Sequence, residues 1–256
     1  MAKIFRNIRQ GLFTNGRFSS YVVYAVGEIF LVVIGILIAL AINNSNETRK
    51  MQEREQIYLA GLRDEFHISK MKLEELIRVN RKSYEDAIMI VELISQEGTM
   101  PSEKAFSELL FSSFAFDLAF NPNNSLLNEM ISSGSLRELS DPELRIRLTN
   151  WISTLEDISK QERELAVQRE KVLDMFRSGE NSIRTILDMT GVTGDQIGIA
   201  PGREEISNLN LLRSREFENN VLLFILASQA TETSHYLPLI REIDSILSQL
   251  KAGIEK

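Results

Sequence analysis

Cysteine is absent from this chain of 256 residues, histidine occurs twice, proline five times and glycine thirteen times, and aromatic side chains make up only 7%. Without cysteine there is no disulfide framework, no thiolate zinc site and no thiol nucleophile, although the absence is silent on compartment. His67 and His235 belong to no H-E-x-x-H pair, so metal chemistry would have to converge from scattered carboxylates. A Ser-His-Asp arrangement lacks its G-x-S-x-G elbow. Both histidines are read as surface or bundle-flank residues. Few prolines, glycines and aromatics also disfavour an all-β sandwich with frequent turns. No repeat at solenoid periods is visible. The glycine-rich stretch GVTGDQIGIAPG at 191–202 lacks G-x-x-x-x-G-K-[ST] and follows no strand pattern, so it is expected to be a surface loop. The expectation is a protein that is not an enzyme and carries no cofactor or metal.

What is present is one long apolar run, VVYAVGEIFLVVIGILIALAINN at 22–44, with a single acid, Glu28, inside it. From Tyr21 to Ile42 it would extend roughly 33 Å as a helix, against a hydrocarbon core of about 30 Å. Lys3, Arg6, Arg9 and Arg17 precede it with no acid among them, whereas Glu47, Arg49, Lys50, Glu53, Arg54 and Glu55 follow and nearly cancel. The positive-inside rule then keeps the N-terminus in the cytoplasm and sends the rest to the periplasmic side of a bacterial inner membrane. The chain carries a net charge of −7. With the four basic residues before the span and Glu28 set aside, everything after it carries −10. Such an acidic domain repels nucleic acid. A cleavable signal peptide competes through the small-x-small string Ala39-Leu40-Ala41, but the run exceeds an ordinary h-region and lacks a polar c-region, so a signal-anchor fits better. Residues MAKIFRNIRQGLF place Ile4, Phe5, Ile8 and Leu12 on one helical face. They read either as a short interfacial helix or as a basic tail that only sets topology, with Thr14-Asn15-Gly16 as a turn into the span.

Gly27-Glu28-Ile29 followed by LVVIGILIALAINN resembles the opening of an uncharacterised family of membrane-anchored proteins common in Bacteroidetes bacteria, a domain of unknown function. Its pattern continues with a helical region carrying a Y/L-x-x-L/M-I-x-S-G-x-L element, here LLNEMISSGSLREL at 126–139, and a final long helix. The resemblance runs the whole chain, is most specific over 27–44, and implies no activity. Ser45 stands where the family often has Trp, which removes an aromatic anchor from the outer interface.

The remaining sequence punctuates itself into helices, so the fold class is all-α: a transmembrane helix at 21–42, then a helical extramembrane domain at 43–256 forming an elongated bundle. A long helix from about Glu47 to Gln96 carries the stripe Leu59, Leu62, Phe66, Leu73, Leu76, Tyr84 and Val91. The cluster NNSN at 43–46 either breaks it from the span or continues as hydrated helix. Gly98 to Pro101 ends it and Ser102 caps the next. Asn121-Pro122 opens a short helix that stops near Ser133-Gly134. Ser140-Asp141-Pro142-Glu143 reads as a capping box, with a helix start near Asp141 and an end near Ser178. Along it Leu144, Leu148, Trp151, Leu155, Ile158, Glu162, Leu165, Arg169, Val172 and Phe176 alternate steps of four and three, a heptad seam. Glu162 and Arg169 interrupt the seam, either to fix register in a helix pair or because it becomes solvent-exposed beyond Ile158. One last helix is expected from Ser214 to the end.

Two function classes follow. In the first, the chain is a membrane-anchored scaffold or adaptor for envelope proteins. In the second, Glu28 handles protons or ions, or couples to a partner's span. Gly27, Gly35 and Ala39 accompany Glu28 as the expected transmembrane interface, because Gly35 and Ala39 form a small-xxx-small pair and Glu28 shares a face with Gly35. Together with the heptad seam they suggest a homo-oligomer.

Overall fold

The computed structural model describes residues 18–96, 100–177, 179–203 and 206–255, with side chains described from Val22 onward. The expected interfacial helix and Thr14-Asn15-Gly16 turn lie outside the described residues, as do Gly98 and Ser178. The fold is all-α, with no strand among the described residues. Its helices are α1 (Phe18–Ser95), α2 (Glu103–Phe114), α3 (Ser125–Ser133), α4 (Pro142–Asp174), α5 (Ile183–Met189), α6 (Arg215–Thr231) and α7 (Leu237–Ile254). The chain divides into two units, 1–57 and 58–256.

In the first unit the apolar run is helical and uncovered: Val23, Leu31 and Ile42 are each about two-thirds or more exposed, and no residue of its most apolar window is buried. The NNSN cluster does not break the helix. Asn43 Nδ2 donates to Glu47 Oε1 at 3.1 Å and Thr48 Oγ1 donates to Asn44 O at 2.9 Å. Asn43 thus spends its side chain on Glu47 along the helix surface, and Thr48 bonds back to the carbonyl four residues earlier, which the helix tolerates without breaking.

The second unit buries two apolar clusters. The first joins Leu59, Leu62, Phe66 and Leu73 of α1 to Leu127 and Met130 of α3, Leu144 to Ile158 of α4, and Leu239 to Leu250 of α7. The second joins Ala87 and Ile90 of α1 to Phe106, Leu110 and Phe114 of α2, Leu165 and Val172 of α4, and Phe217 to Ile225 of α6. Within this unit, therefore, α1 and α4 pass the two clusters in the same order, and α6 with α7 passes them in the reverse order. Aromatic pairs sit at both levels: Phe66–Trp151 and Phe114–Phe224 each have ring centroids 5.0 Å apart. Tilted and edge contacts of this kind add to the burial of large rings.

Local signals set several boundaries. Ser102 accepts from Ala105 N at 3.2 Å, Ser214 accepts from Phe217 N at 3.2 Å, and Gly134 closes α3 at φ 76°. Four expectations need correction. The cap of α4 is Asp141, which accepts from Glu143 N at 2.9 Å and Leu144 N at 3.2 Å with Pro142 in the first turn, so the Ser140 capping box is not the device used. This helix stops at Asp174, short of Ser178. The short helix α3 begins at Ser125 and not at Asn121-Pro122, because the preceding segment is pinned to α1: Lys72 Nζ donates to Asn121 O and Asn123 Oδ1, and Glu65 accepts from Leu126 N at 2.7 Å and Leu127 N at 3.3 Å. A carboxylate from another helix thus satisfies the first free N–H groups of α3 and meets the positive end of its dipole.

The fourth correction concerns the last helix, which is interrupted by a widened turn. A π turn at Glu232–Tyr236 separates α6 from α7, and Leu237 N–H bonds Glu232 O five residues back. Pro238 explains it. Its ring has no N–H and crowds the carbonyl four residues earlier, and one widened turn relieves the crowding without ending the helix.

The glycine-rich stretch is a loop with a π turn, Thr193–Ile197, between Gly191 at φ 80° and Gly198 at φ 74°. The helix before it, α5, was not anticipated. Asp188 at the end of α5 ties the loop back by accepting from Gly202 N at 2.8 Å and pairing with Arg184. The Gly202 N–H contributes most to holding its carboxyl below the usual range.

Candidate functional site: a polar layer at the π turn

Between the two apolar clusters each long helix places polar residues at positions its core stripe would give to apolar ones. In α1 the stripe Leu73, Ile77, Asn80, Tyr84, Ala87 admits Asn80; in α4 the seam Ile158, Glu162, Leu165 admits Glu162; and α6 with the π turn contributes Ser228, Thr231 and Glu232. The periodicity that builds the core therefore converges these groups on one level.

Two clusters result. In the first, Glu162 Oε1 accepts from Tyr236 Oη at 2.8 Å and from the backbone N–H of Phe120 at 2.8 Å. Burial pushes the Glu162 carboxyl above its ordinary range, against these two hydrogen bonds, and Asp117 adds to the rise. Tyr236 is fully buried and its ionisation is pushed far up, first by that burial and then by Glu162, so it stays a neutral donor. In the second, Arg81 donates through Nε and Nη2 to Glu232 Oε1, and Tyr84 lies within reach of both. Glu232 and Tyr84 hold the guanidinium firmly protonated. Nearby, Asn80 Nδ2 donates to Ser228 O at 3.1 Å and Gln161 Nε2 to Thr231 Oγ1 at 3.2 Å.

Buried oxygens remain without a partner among the described residues: Asn80 Oδ1, Ser228 Oγ and Glu232 Oε2. Each raises the cost of the layer, since a buried polar atom without a hydrogen bond keeps its desolvation penalty. The layer lies at a widened turn between the two apolar clusters, where a hydrogen bond left unmade keeps the full desolvation cost of its groups.

The residues singled out from the sequence fall in three places. Along α4, Leu144, Leu148, Trp151, Ile158, Glu162, Leu165 and Val172 are buried within this chain, and Leu155 is half-buried against the first cluster. The seam is thus filled by the chain itself, and it remains buried past Ile158 to Phe176. Arg169 meets the end of α2. Its Nε donates to Phe114 O at 2.8 Å, Nη2 to Ala115 O at 3.5 Å and Nη1 to Glu170 at 3.2 Å, which satisfies carbonyls at the C-terminal end of α2. In the apolar stretch of α1, Gly27, Glu28, Gly35 and Ala39 are exposed, and a Cβ on Gly27 or Gly35 would meet nothing within 4 Å. Glu28 has no hydrogen-bond or ion-pair partner among the described residues. His67 is exposed, whereas His235 is half-buried on the wall of an open groove of about 700 Å³ with Arg147, Asp157, Pro238 and Glu242.

Glu162 was visible as an interruption of the seam. Asn80, Arg81, Ser228 and Glu232 were not singled out; Asn80, Ser228 and Glu232 were legible as polar residues at core positions, whereas Arg81 lies on the exposed side of α1. Their convergence was not, because it depends on which helices pack together.

Neither the curated proteins nor the solved structures yield a match to the chain. The pattern of one family does match, over residues 28–167. This region starts at Glu28, runs through the apolar stretch, α2 and α3, and ends inside α4, short of the full length over which the resemblance was read. It contains Asn80, Arg81 and Glu162 but not Glu232 or Tyr236. Matched over more than half of its length, the chain belongs to the family of unknown function DUF6090.

Proposed function

We propose that the protein is a single-pass protein of a bacterial inner membrane, with its N-terminus cytoplasmic and the unit Tyr58–Lys256 periplasmic, acting as a scaffold or adaptor for other envelope proteins. The observation that carries the membrane part is the uncovered stretch Val22–Ile42 in α1, long and apolar enough to span, preceded by four basic residues and no acid. A soluble helix with this much apolar surface open to water would associate or aggregate. The adaptor part is supported by how the second unit uses its ionisable groups: inside it they are engaged with one another, and its acidic surface is available to partners. Reporter fusions at Lys256 test the topology, with activity expected only from a reporter that works outside the cytoplasm. Crosslinking and affinity capture from native membranes test the adaptor role, and recovery of the chain alone would count against it.

Glu28 favours a second reading, in which the span handles protons or ions or couples to another span. An acid without a partner among the described residues, on a helix face shared with Gly35, gains by meeting a donor on a neighbouring helix. Because α4 fills its own seam within the chain, self-association would rest on this face. Glu28→Gln keeps hydrogen bonding without charge and Glu28→Leu keeps neither. Light scattering of the solubilised full chain reads the difference, and association unchanged in both variants removes the interface role.

A further inference from the structure

Away from the polar layer, the C-terminal end of α2, the last turns of α4 and the face of α5 enclose a pocket of about 240 Å³. Leu110, Phe114, Leu173, Ile186 and Leu187 line it, and Arg169 is the only charged residue on its wall. Its surroundings include apolar groups open to solvent: Ile183, also on its wall, is 50% exposed, and Phe116, edge-on to the wall residue Phe111, is 52% exposed.

The pocket opens to solvent, so its apolar lining is surface that water wets until something covers it. With two wide apolar residues turned out towards solvent and one cation on its wall, it has the make-up of a small-ligand site: apolar lining with a few placed polar groups. We propose that it binds the chain of a single-tailed amphiphile with an acidic head, the carboxylate meeting Arg169. Size sets the tail. At protein-like packing density a methylene occupies roughly 27 Å³, so the hollow takes about nine carbons. The head follows from the guanidinium, which has five N–H groups. Three are directed at Phe114 O, Ala115 O and Glu170, leaving two, and the Ala115 bond at 3.5 Å and the Glu170 bond at 3.2 Å are long. Glu170 is half-exposed and also paired with Arg177 at 2.8 Å, so it has another partner when a ligand carboxylate takes its place on Arg169. The pocket does not depend on the membrane reading, since its walls all belong to the second unit.

Photolabelling tests it. The full chain in lipid nanodiscs is irradiated with decanoic acid bearing a diazirine, and the labelled peptides are mapped by mass spectrometry with and without excess decanoate or decylamine. Labelling is expected in residues 110–116, 169–176 and 183–187, reduced about tenfold by decanoate and little by decylamine. Leu187→Trp fills the hollow and should abolish the labelling. Ile183→Glu places a carboxylate on the rim, in the first turn of α5 where an acid suits the helix dipole, and should lower labelling while the thermal melt is kept. Label confined to the apolar stretch of α1 overturns the proposal, as does pocket labelling indifferent to decanoate and to both variants. Displacement by decylamine as effective as by decanoate overturns the acidic head.

Discussion

Two stretches of α1 obey the same helical geometry and opposite solvent rules. Between Val22 and Ile42 the apolar residues go all the way round and are exposed, with Leu31 at 74%. Between Tyr58 and Ser95 they form a stripe, Leu59, Leu62, Phe66, Leu73 and Ile90 being buried against other helices while Lys72, Arg78 and Glu85 face water. An all-round apolar helix has no aqueous face and needs a surrounding apolar medium, whereas a striped one is completed by its own chain. Only the second stretch has its stability written into tertiary contacts, and equal truncations in the two should show it.

The largest contrast is expected at aromatic positions. Trp151→Ala removes a ring packed on Phe66 and Phe120 and orphans Asn124 Oδ1, which its Nε1 meets at 3.0 Å. It should cost about 3–5 kcal/mol, read as a lowered denaturation midpoint of the second unit. Phe30→Ala, in the uncovered stretch, should leave that midpoint where it is.

Next comes the charge pair of the polar layer. Arg81→Met leaves Glu232 buried without its cation. Because the Arg81 side chain is 48% exposed, solvent screens part of the effect, and a loss of roughly 1–3 kcal/mol is expected, below the full cost of breaking a buried pair. Arg81→Met with Glu232→Met should recover most of it. A double variant as unstable as the single would show that the layer does not act as a pair.

A smaller effect, with a pH signature, belongs to Glu162. Its folded-state carboxyl titrates above the ordinary value of 4.5 because burial disfavours the charge. The folded state therefore holds the proton to higher pH than the unfolded state, and this group's contribution falls as pH rises from about 4.5 through the folded value. Tyr236→Phe deletes a hydrogen bond to the ionised form, so it should cost about 1–2 kcal/mol at neutral pH and less in acid. Glu162→Gln should flatten the dependence. Denaturation midpoints across pH 4 to 8, with Tyr236→Phe equally costly at every pH, would falsify the assignment. The smallest effect is at a cap: Asp141→Ala should cost about 1 kcal/mol, since two N–H groups lose their acceptor.

The comparison also marks how far the chain could be read by itself. The apolar stretch, its flanking charge asymmetry, the α4 seam, the cap at Ser102 and the helix start near Ser214 were legible because each depends on residues within a few positions of one another. The Asp141 cap was nearly so, displaced one residue from Ser140 because Pro142 suits the first helical position, where its missing N–H costs nothing. The division of the last helix was readable in principle from Pro238, but whether such a proline breaks, kinks or widens a helix depends on what packs against it.

What the sequence determined is therefore the part governed by period and solvent: an all-α chain, a stretch that requires apolar surroundings, and the faces each helix must bury. What only the tertiary structure decided is which faces meet. Glu162 and Tyr236 are 74 residues apart, Arg81 and Glu232 are 151 apart, and Glu65 meets the N-terminus of α3 from 61 residues away. No local pattern encodes those pairings. They follow from α6 and α7 running back along α1 and α4, which brings buried polar groups of α1, α4 and α6 to the same level.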